Sequence, residues 1–160
     1  MSHAIEDFVG RRVELLATVF LTARPDVEVF PFELADQVSL MARIISPDDR
    51  HPHERLFGII SKGSAKAVRT EVEANRLFNK DRGPTRQFPF PVLAIAFGMV
   101  GDDGYYAWHS EPITSPEGVP SLVVHRTLAG KPAKREALDS IIEKIMAWYD
   151  RYYTIMTTID

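Results

Sequence analysis

The sequence predicts a single α/β domain that spans residues 1–160. The length of 160 residues is typical of one domain built around one hydrophobic core. Apolar residues make up 45% of the chain and charged residues 26%, which is the balance of a globular protein and not of a disordered or fibrous one. Segments with helical spacing alternate with β-branched apolar runs in the order α-β-β-β-α-β, followed by further strands and a closing helix.

The first half of the chain is predicted to form one helix and three strands. The helix ends before Pro25 and has Ser2 as a candidate N-cap. Its apolar residues recur at three- and four-residue spacing: Ile5, Phe8, Val9, Val13, Leu16, Val19 and Phe20. The three strands are predicted at residues 27–30, 38–45 and 55–61. The third strand is expected to be mostly buried and runs directly into Lys62.

The second half begins with a helix predicted over residues 65–79, where Val68, Val72 and Leu77 have helical spacing. The most apolar run of the chain follows at 91–97 and predicts a central strand. Two further strands are predicted at 105–110 and 121–127. The connection between them contains Pro112, Pro116 and Pro120 and is therefore expected to be irregular.

A closing helix is predicted over residues 134–158, with a broad apolar face that is rich in aromatic residues. Tyr153, Ile155 and Ile159 widen this face beyond what one core contact needs. One interpretation is a core helix with aromatic edges. The other is an interface with a protein partner or a second copy of the chain, formed through Trp148, Tyr149, Tyr152 and Tyr153.

The composition excludes several classes of protein. The chain has no cysteine, so it has no disulfide, no thiolate zinc site and no thiol nucleophile. Neither a secretory signal nor an apolar stretch of membrane-spanning length is present, so a soluble cytoplasmic protein is expected. The net charge of -3 predicts that any contact with nucleic acid is local. Basic residues cluster at 62–69, 80–86 and 131–135.

Four segments carry a resemblance to a known superfamily. They are Val38-Ser39-Leu40-Met41-Ala42-Arg43-Ile44, Leu56-Phe57-Gly58-Ile59-Ile60-Ser61-Lys62-Gly63, Pro91-Val92-Leu93-Ala94-Ile95 and Gly104-Tyr105-Tyr106-Ala107-Trp108. With the order of elements, they resemble a bacterial branch of the PD-(D/E)xK, or restriction-endonuclease-like, nucleases, whose strands carry patterns close to Asp-x-Gly-Ile-Asp-Leu and Phe-Gly-Val-Gln-Val-Lys-Gly. The similarity covers nearly the whole chain. It implies an α-β-β-β-α-β core with a central mixed sheet flanked by helices, extended here by extra strands and a long C-terminal helix.

The resemblance also implies a metal-dependent site. In that superfamily the second strand supplies an aspartate, and the third strand supplies Glu or Gln followed two residues later by lysine; the first helix often adds a glutamate. Magnesium prefers oxygen ligands, and the lysine balances phosphate charge. Lys62 stands in the lysine position, and Glu14 is the candidate for the glutamate of the first helix. However, Ser39 occupies the aspartate position and Ile60 the Glu/Gln position. The aligned site therefore lacks the anionic oxygens that a divalent ion needs, and Lys62 can equally be a strand-ending lysine that extends to solvent.

Relocated acids provide an alternative site. Members of the superfamily can carry an acid on a neighbouring strand or on the following helix, and Asp36 and Glu73 stand in such positions. Asp36, Glu73, Lys62 and Glu14 would then bind Mg²⁺ or Mn²⁺. Against this, Asp36 would face away from Ser39 on an extended strand, and acids such as Glu73 are common on solvated helices.

Three other groups of residues contain side chains with chemical potential. The loop at 48–54 contains His51, His53 and carboxylates that could bind a metal, but a polar surface loop is the simpler interpretation. His109 and His125 could approach each other on the sheet, and hydrogen-bonded, partly buried histidines are expected. The aromatic side chains of 105–108 could stack on bases, although cross-strand packing explains them as well.

Three functional hypotheses follow. The first is a catalytically inactive nuclease-fold protein that binds nucleic acid or a protein, as a subunit of a bacterial defence or mobile-element system. The second is an active metal-dependent nuclease with relocated acids. The third is an assembly protein that forms a homodimer or binds a partner through its aromatic terminal helix. On the first hypothesis no cofactor or metal is expected.

Overall fold

A mixed β-sheet with helices on both faces forms the core of the computed structural model, which describes residues 3–32, 37–45, 54–83, 86–101 and 103–158. The described residues form three helices, which are α1 (His3–Leu21), α2 (Glu71–Asn79) and α3 (Arg135–Thr158). They also form seven strands, which are β1 (Val27–Pro31), β2 (Leu40–Ile44), β3 (Arg55–Ser64), β4 (Val92–Gly98), β5 (Gly104–Thr114), β6 (Pro120–Val124) and β7 (Lys131–Pro132). The predicted α/β class and the order of elements are confirmed.

The strands lie side by side in the order β1-β2-β3-β4-β5-β6, and β7 pairs with β5 beyond the end of β6. β3 and β4 are parallel to each other, whereas the other neighbours are antiparallel. A parallel pair needs a crossover connection, and α2 provides it. The carboxyl ends of β3 and β4 therefore meet at one edge of the sheet.

Two hydrophobic clusters cover the two faces of this sheet. One cluster joins α1 and α3 to a sheet face that includes Phe57, Ile59 and Leu93, and we call this the α1/α3 face. The other cluster joins α2 and its flanking loops to a face that includes Ile60 and Ala94, which we call the α2 face. β4 is buried along its whole length, as predicted for a central strand.

α1 is a helix as predicted, but its buried side differs from the predicted stripe. Its buried residues are Val9, Val13, Ala17 and Leu21, whereas Ile5, Phe8, Leu15 and Val19 are exposed. The candidate N-cap Ser2 lies outside the described residues. The helix rests directly on β3, since a β-carbon at Gly63 would lie 2.5 Å from Val9 Cγ1 and 2.6 Å from Val13 Cγ2. Because α1 carries apolar residues on more than one of its sides, their spacing alone does not identify which side packs against the sheet.

α2 begins six residues later than predicted, at Glu71 instead of residue 65. The Thr70 hydroxyl accepts a hydrogen bond from the Glu73 amide, and the Glu73 carboxylate accepts one from the Arg69 amide. These two bonds hold the start of the helix, with Thr70 as the N-cap. The residues before it form a loop that packs Val68 into the core, and β3 continues through Lys62 to Ser64.

β5 is also longer than predicted and contains Pro112, which the sequence placed in an irregular connection. β5 and β6 pair from Ser110↔Val124 to Thr114↔Pro120 and so form a hairpin. Pro112 is accommodated because β4 pairs with β5 only as far as Ser110, which leaves one side of the strand without a ladder partner at this point. The two-residue strand β7 was not predicted.

α3 forms as predicted, and most of its aromatic face is buried within this chain. Trp148 and Tyr149 are 5% and 7% exposed, and Tyr153 is half-buried, whereas Tyr152 is 40% exposed. The Trp148 indole donates to the Ser121 carbonyl, and the Tyr149 hydroxyl donates to the Leu56 carbonyl. The core-helix interpretation therefore accounts for Trp148 and Tyr149, and of the four aromatic residues Tyr152 and part of Tyr153 stay exposed. In the described part of the chain, no helix has both the length and the apolar character required to span a membrane.

Candidate functional site

Lys62 lies near the carboxyl end of β3, opposite Ala96 of β4. It lies two residues after Ile60 on the same strand and opposite Ala96, both of which pack on the α2 face, so Lys62 projects from that face as well. The residue is half-buried. This degree of burial is typical of a lysine whose methylene stem covers apolar surface while its ammonium stays in water. Among the described residues, no carboxylate lies within ion-pairing distance of this ammonium.

The two positions that depart from the nuclease pattern have structural roles of their own. Ile60 is 6% exposed and packs in the cluster on the α2 face. The Ser39 hydroxyl lies 2.8 Å from that of Ser61, with which it shares a hydrogen bond. Ser61 projects from the α1/α3 face because it alternates with Lys62, so Ser39 bonds a side chain on the face opposite to Lys62. The backbone is not a regular strand just before β2. Val38 packs on the α2 face and Leu40 on the α1/α3 face, although residues two apart on a regular strand share a face.

Glu73 and Lys62 lie on the same face, and Glu73 holds the start of α2. Its carboxylate accepts the Arg69 amide at 3.2 Å. Burial raises the pKa of Tyr105, and the charges of Asp103, Glu71 and Glu73 add to that effect. Lys62 pairs with Ala96, and Ala96 pairs with Tyr105, so these three residues form one row across the sheet. The start of α2 therefore lies close to this row.

The other two relocated candidates do not join this group in the described structure. Glu14 lies on α1, on the opposite face of the sheet, where it borders a shallow groove with Arg11, Thr18 and Phe30. Asp36 lies outside the described residues, as do His51 and His53. The four-residue metal site therefore stays a prediction, with Lys62 and Glu73 on one face and Glu14 on the other.

A second polar region is a cleft between β5, the segment that follows β6, and α3. Its volume is about 350 Å³. The sheet side is formed by Tyr106, Trp108 and Glu111, and the remaining walls include His125, Thr127, Lys131, Ser140 and Lys144. We call this region the α3 cleft. Its size is within the range of small-molecule sites in proteins.

Glu111 connects the walls of the α3 cleft. One carboxylate oxygen accepts from His125 Nε2 at 2.8 Å, and the other accepts from the Lys144 ammonium on α3. Burial alone would raise the pKa of Glu111, but the hydrogen bonds from Lys144 and His125 outweigh burial and lower it. The carboxylate is thus ionised at neutral pH and holds the side chains of His125 and Lys144 in place.

A β-bulge directs Glu111 into the cleft. Leu93 pairs with Trp108 and Val92 with Ser110, so His109 is an extra residue in β5 with no partner on β4. Tyr106 and Trp108 pack on the α1/α3 face, and simple alternation would place Ser110 there as well. Because of the bulge, Glu111 takes that side instead and meets Lys144.

His109 is enclosed on the α2 face and is 1% exposed. Its Nδ1 lies 3.2 Å from Arg82 Nη2, its Nε2 lies 3.4 Å from the Arg86 carbonyl, and its ring contacts Phe88 edge-on. Burial lowers the pKa of His109 against a small opposing effect of the Arg86 carbonyl. The neutral imidazole is therefore a structural group, as expected, and the nearby His125 belongs to the cleft.

Sequence reasoning missed Glu111, Lys131 and Lys144 as a group. Lys131 and Lys144 carry no motif, and they meet Glu111 only because of the bulge at His109 and the docking of α3. No family model, curated protein or solved structure matches the chain. What each region can bind follows from its side chains, which are cations at the end of β3 and mixed charges with aromatic rings in the α3 cleft.

Proposed function

We propose that this protein has a restriction-endonuclease-like fold and binds nucleic acid without cleaving it. The observation that carries the proposal is Ile60, a core residue on the same strand face as Lys62 and two residues before it. That is the position from which the nucleases that the sequence resembles present a metal-binding oxygen. A buried butyl group there offers magnesium no ligand.

The order of elements supports the fold. A helix, an antiparallel three-stranded meander, a crossover helix and a strand parallel to β3 follow each other along the chain. Helices cover both faces of the resulting mixed sheet. This is the arrangement that the resemblance implies, with β5, β6, β7 and α3 as the additional elements.

The cations at the end of β3 support nucleic-acid binding. Lys62 projects from the α2 face, and Lys66 and Arg69 are exposed in the loop that leads to α2. The Met99 amide donates to the Lys66 carbonyl, which holds this loop against the end of β4. Three cations thus border the edge where the parallel strands end, and phosphate binding by lysine and arginine supplies most of the affinity in non-specific complexes.

Fluorescence anisotropy with labelled single- and double-stranded DNA and RNA tests this proposal. We expect Lys62→Ala to weaken binding by about three- to tenfold and to reduce the slope of log affinity against log salt by about one. Lys80→Ala is the matched control, because Lys80 is an exposed lysine at the far end of α2. Absence of binding to all four probes at low salt, or an equal effect of both substitutions, contradicts the proposal.

A second candidate function is assembly with another copy of the chain. The observation that favours it is the exposed side of α1, where Ile5, Phe8, Leu15 and Val19 are between 42% and 64% exposed. Together with Arg12, which lies between Phe8 and Leu15, they are separated by three and four residues in alternation. This is the spacing of residues at the interface between two packed helices. Sedimentation velocity tests it: a dimer that Leu15→Ser dissociates is expected, and a monomer at high concentration argues against it.

A further inference from the structure

We propose that the α3 cleft is a binding site for a nucleoside monophosphate. This site lies on the α1/α3 face, so it is independent of the cations at the end of β3 and of the function proposed for them. Its volume of about 350 Å³ suits a single nucleotide. The argument rests on its charge, its aromatic wall and the fixed geometry of its polar groups.

The charge of the cleft favours an anion. Lys131 and Lys144 line it together with one carboxylate, Glu111, so its lining carries a net positive charge before any protonation of His125. Lys144 is held by Glu111, whereas Lys131 is exposed and has no ion-pair partner among the described residues. A phosphate that contacts Lys131 would supply the missing counter-charge, at a site where Lys144 and His125 are within reach.

The sheet side of the cleft favours a planar group. Tyr106 and Trp108 are half-buried on the same face of β5 and line the cleft. The Lys144 ammonium lies over the Trp108 ring, 5.8 Å from its centre, so a base would stack mainly on Tyr106 and at the edge of Trp108. Burial raises the pKa of Tyr106, with a smaller opposing effect of Lys144, so its hydroxyl keeps its proton and can donate a hydrogen bond. Aromatic rings bind nucleobases by stacking with little dependence on base identity.

The polar groups are positioned before a ligand arrives. Glu111 fixes His125 on one wall and Lys144 on the other through two hydrogen bonds. The hydroxyls of Thr127 and Ser140 lie at the same cleft and can bond a ribose. A site whose side chains are already ordered loses less entropy on binding. Glu111 is accordingly a positioning residue, and Lys131 is the residue expected to contact the phosphate.

Calorimetric titration tests the site with adenosine monophosphate, adenosine and inorganic phosphate as separate probes. Adenosine monophosphate is expected to bind at least about tenfold more tightly than either fragment, because it alone engages both the cation and the rings. Lys131→Ala is expected to weaken it by about five- to tenfold and to leave adenosine unchanged. Lys134→Ala is the matched control, since Lys134 is exposed, three residues away and not part of the cleft lining.

Three results would overturn the proposal: no binding of adenosine monophosphate at millimolar concentration, equal binding of adenosine and its monophosphate, or equal effects of the two lysine substitutions.

Quenching of tryptophan fluorescence provides a second readout. Trp108 lines the cleft, whereas Trp148 is a buried residue of α3 that does not line it, so quenching that persists in Trp108→Phe would also contradict the assigned site. Lys62→Ala should leave this binding intact, which separates it from nucleic-acid binding at β3.

Discussion

Arg55 shows how a single charged residue is retained in the core of this protein. It is 3% exposed, and its Nη2 lies 2.5 Å from Oδ1 of Asp150 on α3. Its Nε is buried without a hydrogen-bond partner in the described structure. The ion pair thus compensates only part of the cost of burying the guanidinium.

Removal of the Asp150 carboxylate should therefore destabilise the fold. Asp150→Ala leaves the buried Arg55 guanidinium without its anion, and we expect a loss of about 1–3 kcal/mol in the free energy of unfolding, measured by urea titration. Glu143→Ala on the same helix is the control, because Glu143 is exposed. Similar stability of the two variants would show that Arg55 does not depend on Asp150.

Glu111 gives a pH dependence whose sign follows from its lowered pKa. A carboxyl whose pKa is lower in the folded state contributes stability above its ordinary pKa of 4.5, and that contribution is lost as pH falls through the folded value. Glu111→Gln should thus be less stable than the wild type at pH 7, and the difference should shrink below about pH 4.5. Urea unfolding at a series of pH values measures it, with the exposed Glu117→Gln as control. A difference that stays constant into acid would contradict the assigned ion pairs.

At the scale of secondary structure, the contact between α1 and β3 depends on a glycine. Gly63 has no room for a methyl group, whereas Gly10 on the outer side of α1 has no atom within 4 Å of the place where its β-carbon would stand. Gly63→Ala should destabilise the protein by about 1–3 kcal/mol, because α1 must move away from the sheet. Gly10→Ala should instead stabilise it by about 0.5–1 kcal/mol, because alanine favours a helix. Thermal unfolding of both variants checks the opposite signs; a shift in the same direction would place α1 elsewhere.

The helices and strands were predictable where one strong local signal dominates. The apolar run of β4 and the long periodic segment of α3 are such cases, and both form as predicted. The start of α2 was predicted six residues early because the helical spacing of Val68 and Val72 outweighed the capping signal at Thr70. The prediction of the buried side of α1 was wrong because apolar residues lie on two sides of the helix. Only the close packing of α1 against Gly63 determines which side is buried.

The candidate sites differ in how much of them the sequence contains. Lys62 and Ile60 are two residues apart on one strand, so strand alternation alone predicts that they share a face, and the pairing of Lys62 with Ala96 agrees with this. The α3 cleft joins β5, the segment after β6, and α3 over long sequence separations, for example 33 residues between Glu111 and Lys144. It also needs a one-residue bulge at His109, after which Glu111 faces the cleft. Neither requirement leaves a local pattern.

At the scale of the whole molecule, the sheet separates two polar regions. The end of β3 presents cations on the α2 face, and the α3 cleft lies on the α1/α3 face. On our proposal Ile60 stands where related nucleases present a metal-binding group, and phosphate would still be held by lysine and arginine because those contacts do not need a metal. Binding without cleavage is thus the property that distinguishes this account from an active nuclease with relocated acids.

A cleavage assay tests that property most directly. End-labelled single- and double-stranded DNA and RNA are incubated with the protein and millimolar Mn²⁺ or Mg²⁺, in parallel with the Lys62→Ala variant. We expect all four substrates to stay intact with both proteins, under conditions where the wild type binds them. Metal-dependent cleavage that Lys62→Ala abolishes would contradict it and would establish a working nuclease centre at the end of β3.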